Sequence, residues 1–172
     1  MDGDRFTVRK VCHQGGSLSY WVFTPDAEVH RPSLNVLKRY GTSSQQTFAY
    51  GLADHLNWAR VNGKTPETVT LEDLQRYMNG VTDQADGVYG IAWRKPQQTP
   101  LGASAAGNVA TVVKAYYLTL STSQPVNPDL VEARIESSAR ATARRRRDGM
   151  AREPTRARIV RSLCHHALRP RR

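Results

Sequence analysis

Few side chains in this sequence are of a kind that does chemistry, and they are scattered. Cys12-His13 and Cys164-His165-His166 supply thiol and imidazole, the ligands zinc prefers. The two groups stand near opposite ends of the chain and lack the local spacing of a structural zinc site, so no metal is expected. Glu72-Asp73 is the only adjacent pair of carboxylates. It falls at the start of a helical pattern, where the helix dipole favours acids without any catalytic role. His55 lies on an apolar helix face and reads as a core histidine with one nitrogen satisfied. The sequence contains no GxGxxG, no GxxxxGK[ST] and no GxSxG. No independent active site, no cofactor and no small-molecule substrate are expected. What remains is charge: Arg144-Arg145-Arg146-Arg147 would bind any polyanion, with a strong salt dependence.

That charge is unevenly distributed. The chain has 172 residues and a formal net charge of +10. Residues 1–130 hold 12 Lys and Arg against 11 Asp and Glu, whereas residues 131–172 hold 13 Arg against 4 acids. All 13 aromatic residues and all five lysines precede residue 131. The last segment therefore has little to bury against its ordering entropy and is expected to be disordered or weakly helical. A change this abrupt fits a frameshift or truncation that replaced an original C-terminal domain. No stretch approaches the ~18 consecutive apolar residues of a membrane span. The opening MDGDRF has no apolar core of a secretory signal. Two cysteines make no disulfide framework, and a reducing cytoplasm is the simplest setting.

The elements that must position these residues are mostly helical. In residues 1–40, Tyr20-Trp21-Val22-Phe23 is a short β-prone run that can form a strand or an extended arm. Leu34, Leu37 and Tyr40 suit a short helix broken at Gly41. A first long helix spans about 44–62, capped by Thr42, Ser43 or Ser44 and stopped by Gly63, with Phe48, Leu52, His55, Trp58 and Ala59 on one face. A second spans about 71–81, opened by a Thr70…Asp73 capping box, with Leu71, Leu74, Tyr77, Met78 and Val81 as its stripe. A third spans about 104–121, with Ser104 as N-cap and Val109, Val112, Val113, Tyr116 and Leu120 buried. Tyr117, next to Tyr116, is expected to be partly exposed. Asn127-Pro128 ends the helical region. Residues 82–103 form a long Asp/Gly/Gln/Pro-rich connection that holds a further short helix around 88–94 or a functional loop. The sequence thus predicts an all-α fold: a small helical bundle over residues 41–130, a short β-prone arm over 1–40, and the basic tail over 131–172.

Four segments in this order resemble the SAM-like core-binding domain of tyrosine recombinases and phage-type integrases. They are Ser44-x-x-Thr47-Phe48-x-x-x-Leu52-x-x-His55-x-x-Trp58, then Val69-Thr70-x-x-Asp73-Leu74-x-x-Tyr77, then Ala110–Tyr117, and finally Asn127-Pro128. The Tyr20–Phe23 run is similar to the N-terminal strand of actinobacterial-type members. The resemblance covers about residues 17–130. Two positions depart from it: His55 replaces an aromatic, and Gly107-Asn108 stands where Asn-Arg is usual. The family's catalytic elements are two arginines, a His-x-x-Arg box and a tyrosine nucleophile. These have no counterpart here. His166-Ala167-Leu168-Arg169 imitates the box only by chance, lying about 40 residues past Asn127-Pro128 with no tyrosine after it.

The resemblance implies a truncated recombinase module that grips duplex DNA without cleaving it, is not an enzyme as an isolated chain, and works in the cytoplasm at the nucleoid. Other recombinase protomers would be its protein partners. Candidate DNA contacts are Thr47, Arg60 and Lys64 on the first long helix and just past its end, Arg94 and Lys95 in the long connection, and Ser104, Asn108 and Lys114 on the third. Lys and Arg would neutralise phosphates, and Ser, Thr and Asn would position the backbone or touch base edges. The alternative is a free-standing helical DNA-binding regulator or a protein-interaction module.

Overall fold

The computed structural model describes residues 5–82 and 100–131. Two strands, β1 (Thr7–Cys12) and β2 (Leu18–Phe23), precede four helices, α1 (Arg31–Leu37), α2 (Thr42–Val61), α3 (Leu71–Thr82) and α4 (Ala103–Leu120). No helix among the described residues is long and apolar enough to cross a membrane.

The domain is helical but not all-α. β1 and β2 form an antiparallel hairpin with Thr7 opposite Phe23 and Cys12 opposite Leu18. The hairpin turns through His13–Ser17, where Gly16 adopts φ +76° and its N–H donates to the His13 carbonyl. Only glycine takes that backbone conformation without cost. The Tyr20–Phe23 run is therefore half of a hairpin. Its partner β1 was not expected because Thr7-Val8-Arg9-Lys10-Val11-Cys12 carries two adjacent cations and little apolar area. Pairing with β2 supplies the order that β1's own composition does not.

Polar side chains of α2 hold the hairpin in place. Gln45 Oε1 accepts from the Tyr20 N–H at 2.7 Å, and Gln45 Nε2 donates to the Leu37 carbonyl at 3.1 Å. Thr42 Oγ1 donates to the Leu18 carbonyl rather than capping its own helix. Asn57 Oδ1 accepts from the Phe6 N–H and Asn57 Nδ2 donates to the Phe6 carbonyl. Val22 of β2 and Val36 and Leu37 of α1 are fully buried in the same core as the three long helices.

The helix bounds fall within two residues of the expected ones, but the side-chain caps expected for α2 and α4 do not form, and glycines take their places. α2 begins at Thr42 with Gly41 as N-cap, slightly earlier than expected. At its end Gly63 takes φ +62°, with Gly63 N–H on the Arg60 carbonyl and Lys64 N–H on the Ala59 carbonyl. These two bonds are the Schellman arrangement that makes glycine the stop residue. The α3 capping box is present: Asp73 N–H donates to Thr70 Oγ1, while Thr70 N–H and Oγ1–H donate to Asp73 Oδ2. On α4 the N-cap is Gly102, so Ser104 sits inside the first turn instead of capping it.

The relative directions of the helices follow from their contacts. Gly51 of α2 faces Val109 and Val112 of α4, and one turn later His55 meets Tyr117. Both helices advance together, so α2 and α4 run in the same direction. α1 runs against them: its N-cap His30 lies beside Tyr116, and its C-terminal Leu37 is bonded to Gln45. α3 also runs against them, because Leu101 N–H donates to the Val81 carbonyl and so joins the end of α3 to the start of α4. At the other end, Asn127 ties the chain after α4 to the α2–α3 connection, through its N–H to the Pro66 carbonyl and its Nδ2 to the Val69 carbonyl.

Candidate nucleic-acid interface

The shared direction of α2 and α4 decides which candidate contacts belong together. Thr47 lies one turn before Gly51, and Asn108 one turn before Val112, so both flank the start of the α2–α4 seam. Ser104 precedes Asn108 by four residues, on the same face of α4. All three are exposed. Since α1 runs the opposite way, its C-terminal Lys38 and Arg39 reach this same end. Both are exposed and pair with no carboxylate among the described residues.

Backbone groups add to this end of the bundle. α2 and α4 both begin here, each on a glycine N-cap with no side-chain cap hydrogen bond and no acid in the first turn. The first N–H groups of a helix lack intrahelical acceptors, and the helix dipole makes them favourable to anions. α3 is the opposite case. Its N-terminus is closed by Thr70 and carries Glu72 and Asp73.

Arg60 and Lys64 do not join Thr47. Thirteen residues separate Thr47 from Arg60, which is ~20 Å along α2 and ~140° around it. They sit at the end of the bundle where α3 begins. Lys64 is moreover engaged in structure: its Nζ lies 2.8 Å from Asp73 Oδ2, and Asp73 is buried. Burial alone would raise the Asp73 carboxyl, but the Lys64 ammonium and the Thr70 hydrogen bonds outweigh it and hold the group below the usual carboxylate range. Lys64 thus completes the α3 cap. Thr70→Ala is expected to lower stability by about 1–2 kcal/mol, seen as a lower urea midpoint, because it removes the hydroxyl that closes the box.

Lys114 lies on the shoulder of α4, half-buried and ~9 Å further along the axis than Asn108. It does not share the Ser104–Asn108 face. Arg94 and Lys95, the short helix expected around 88–94, the tail, Cys164-His165-His166 and the His166–Arg169 match lie outside the described residues.

Lys38 and Arg39 are not among the contacts expected from the sequence. Their signal was an exposed dibasic pair at the end of a helix, but the importance of that pair depends on the antiparallel course of α1, which no local pattern encodes.

His55 is fully buried in the core, two turns further along α2 than Thr47. Its ring stacks on Trp58 (centroids 5.5 Å apart) and meets Tyr77 and Tyr117 edge-on. Nε2 is 2.8 Å from the Tyr117 hydroxyl, while Nδ1 has no hydrogen-bond partner among the described residues. Burial drives the imidazole pKa down to about 3, so the ring is neutral at ordinary pH. Tyr117, expected partly exposed, is buried with its hydroxyl on His55. Burial pushes its own pKa up. Tyr77 likewise turns its hydroxyl to Asp54 Oδ2 at 2.8 Å. The cluster packs the core and presents no open chemical site.

No known protein family, no curated protein and no solved structure matches the chain.

Proposed function

We propose that this protein grips duplex DNA without cutting it, as a module like the core-binding part of a tyrosine recombinase, with other recombinase protomers as its protein partners. The observation that carries this reading is the gathering of Thr47, Ser104 and Asn108 with Lys38 and Arg39 at one end of the bundle, where two helices also begin. Cations there would neutralise phosphates, the first N–H groups of the two helices would donate to phosphate oxygens, and the hydroxyl and amide side chains would set register or touch base edges. The order of the four sequence segments supports the same reading.

The test is salt-dependent binding of fluorescent duplex DNA to the full chain. The arginines of residues 131–172 give a background slope, so the informative quantity is the change in slope on mutation. Replacing both Lys38 and Arg39 with Ala is expected to reduce the slope of log K against log salt by about 2, close to one unit per lost phosphate contact. Arg60→Ala, at the far end, is expected to leave it unchanged. Equal slopes for the double variant and the parent would remove the basis of the proposed face. No covalent protein–DNA adduct is expected on a denaturing gel with nicked duplex, and finding one would overturn the non-cleaving part of the reading.

A further inference from the structure

The two edges of the hairpin are treated differently by the fold. The His13 N–H bonds the Ser17 carbonyl, which fixes the ladder: Thr7, Arg9 and Val11 exchange hydrogen bonds with β2, while Val8, Lys10 and Cys12 direct their N–H and C=O groups outward. On β2 every corresponding residue is met. The Leu18 carbonyl accepts from Thr42, the Tyr20 N–H donates to Gln45, and the Val22 carbonyl accepts from His30 N–H. On the β1 side Asn57 closes the edge at Phe6 and nothing further. From Val8 to Cys12 the outward backbone groups meet no partner among the described residues, and Lys10 and Cys12 are exposed. Natural proteins rarely leave such an edge uncovered without a device or a use.

The charged side chains of the hairpin segment itself have one sign. Residues 5–25 include Arg5, Arg9 and Lys10 and no Asp or Glu. Arg9 lies on the outer face of the hairpin, its guanidinium 4.7 Å above the Phe23 ring, and Lys10 points to the other face. A strand added beside β1 would therefore meet a cation on each face. Pairing with a second copy of β1 is disfavoured, because an antiparallel pairing centred on Lys10 sets Lys10 directly opposite its own copy and Arg9 diagonal to its own. Nucleic acid could use the charge but not the alternating N–H and C=O groups.

The geometry points to a binding site for an extended acidic peptide, which adds to β1 as a third strand across Val8, Lys10 and Cys12. Main-chain bonds from these three residues would hold the strand, and Arg9 and Lys10 would select Asp or Glu on its two faces. The partner is thus a protein presenting an exposed acidic strand or a disordered acidic segment. This inference does not depend on the DNA-binding reading.

The test is amide hydrogen exchange by NMR on the full chain, with an acetylated hexapeptide of alternating Glu and Val as probe and its Lys/Val counterpart as control. The residue-specific readout separates the edge from the arginines of residues 131–172, which also attract acids. The Glu/Val peptide is expected to slow exchange at Val8, Lys10 and Cys12 by roughly tenfold or more, with Arg9 and Val11 little changed since they are already bonded. The Lys/Val peptide should leave all five unaffected. Lys10→Pro deletes an outward N–H without removing a β1–β2 bond and should abolish the effect. Should that variant misfold, Lys10→Glu keeps the backbone and should exchange the preference to the Lys/Val peptide. Slowing by both peptides alike, no slowing by either, or slowing by duplex DNA alone would each overturn the proposal.

Discussion

Acidification from pH 7 to pH 4 is expected to cost the folded protein about 3 kcal/mol through His55 alone. Its imidazole is held down to about 3, against an ordinary value of 6.5, because burial disfavours the charged ring. The unfolded chain protonates near 6.5, and the folded one does not until far lower. Below pH 6.5 the unfolded state therefore takes up protons that the native state refuses, and stability falls continuously towards pH 3. His30 acts in the same direction. Its pKa is lowered to about 4 by burial, its Nδ1 lies 2.7 Å from Ser33 Oγ, and its ring meets Phe6 edge-on. The Asp73 contribution is present above the ordinary carboxylate range and is lost only as pH falls through its depressed value. It therefore sharpens unfolding at the acid extreme and not near pH 6. A domain of this size typically has about 5–15 kcal/mol in total, so urea midpoints should drop steeply between pH 6.5 and pH 4.

A double variant isolates the His55 share. Replacing His55 alone with Phe would leave the Tyr117 hydroxyl buried without its partner, at a cost of about 1–3 kcal/mol. Changing His55 and Tyr117 together to Phe removes both members of the 2.8 Å pair and keeps two aromatic rings in the cluster. Such paired replacement is close to neutral at pH 7. The pH 4 stability should then rise by about 3 kcal/mol relative to the parent. Parallel pH profiles for parent and double variant would show that His55 is not the buried neutral group its surroundings make it.

How far the fold could be read from the sequence depended on whether the signal was local. α2, α3 and α4 were legible to within a residue or two at most ends, because their apolar residues recur every three or four and Thr70…Asp73 and Gly63 punctuate them. His55 was legible as a core residue for the same reason. β1 was not, since its order comes from β2 and from Asn57, 51 residues away from Phe6. The candidate site divided in the same manner. Thr47, Ser104 and Asn108 are candidates by chemistry and reach alone, and their grouping emerges only from the parallel course of α2 and α4. Lys64 is a candidate by its charge, yet the turn at Gly63 delivers that charge to Asp73. A lysine on the page carries no indication of which carboxylate will have claimed it.

The α2–α4 seam that creates this grouping hinges on Gly51. A Cβ there would lie 3.3 Å from Val109 Cγ2 and 3.4 Å from Val112 Cγ1, at the near limit of ordinary contact. Glycine in mid-helix costs about 1 kcal/mol relative to alanine, so its presence reflects the close approach and not helix formation. Gly51→Ala therefore sets a gain of that size against a small displacement of two valine methyl groups, and stability should change by less than about 1 kcal/mol. Gly51→Leu has no such balance. Its branch must enter the space of Val109 and Val112, both buried, and α4 has to move away from α2. The expected loss is about 3 kcal/mol, read as a lower urea midpoint. Where the variant is still folded, separating the helices also separates Thr47 from Asn108, so duplex DNA binding should weaken for Gly51→Leu and not for Gly51→Ala. Leucine accepted at this position with no loss of stability would mean that the helices do not meet here, and the grouping of Thr47, Ser104 and Asn108 would lose its structural basis.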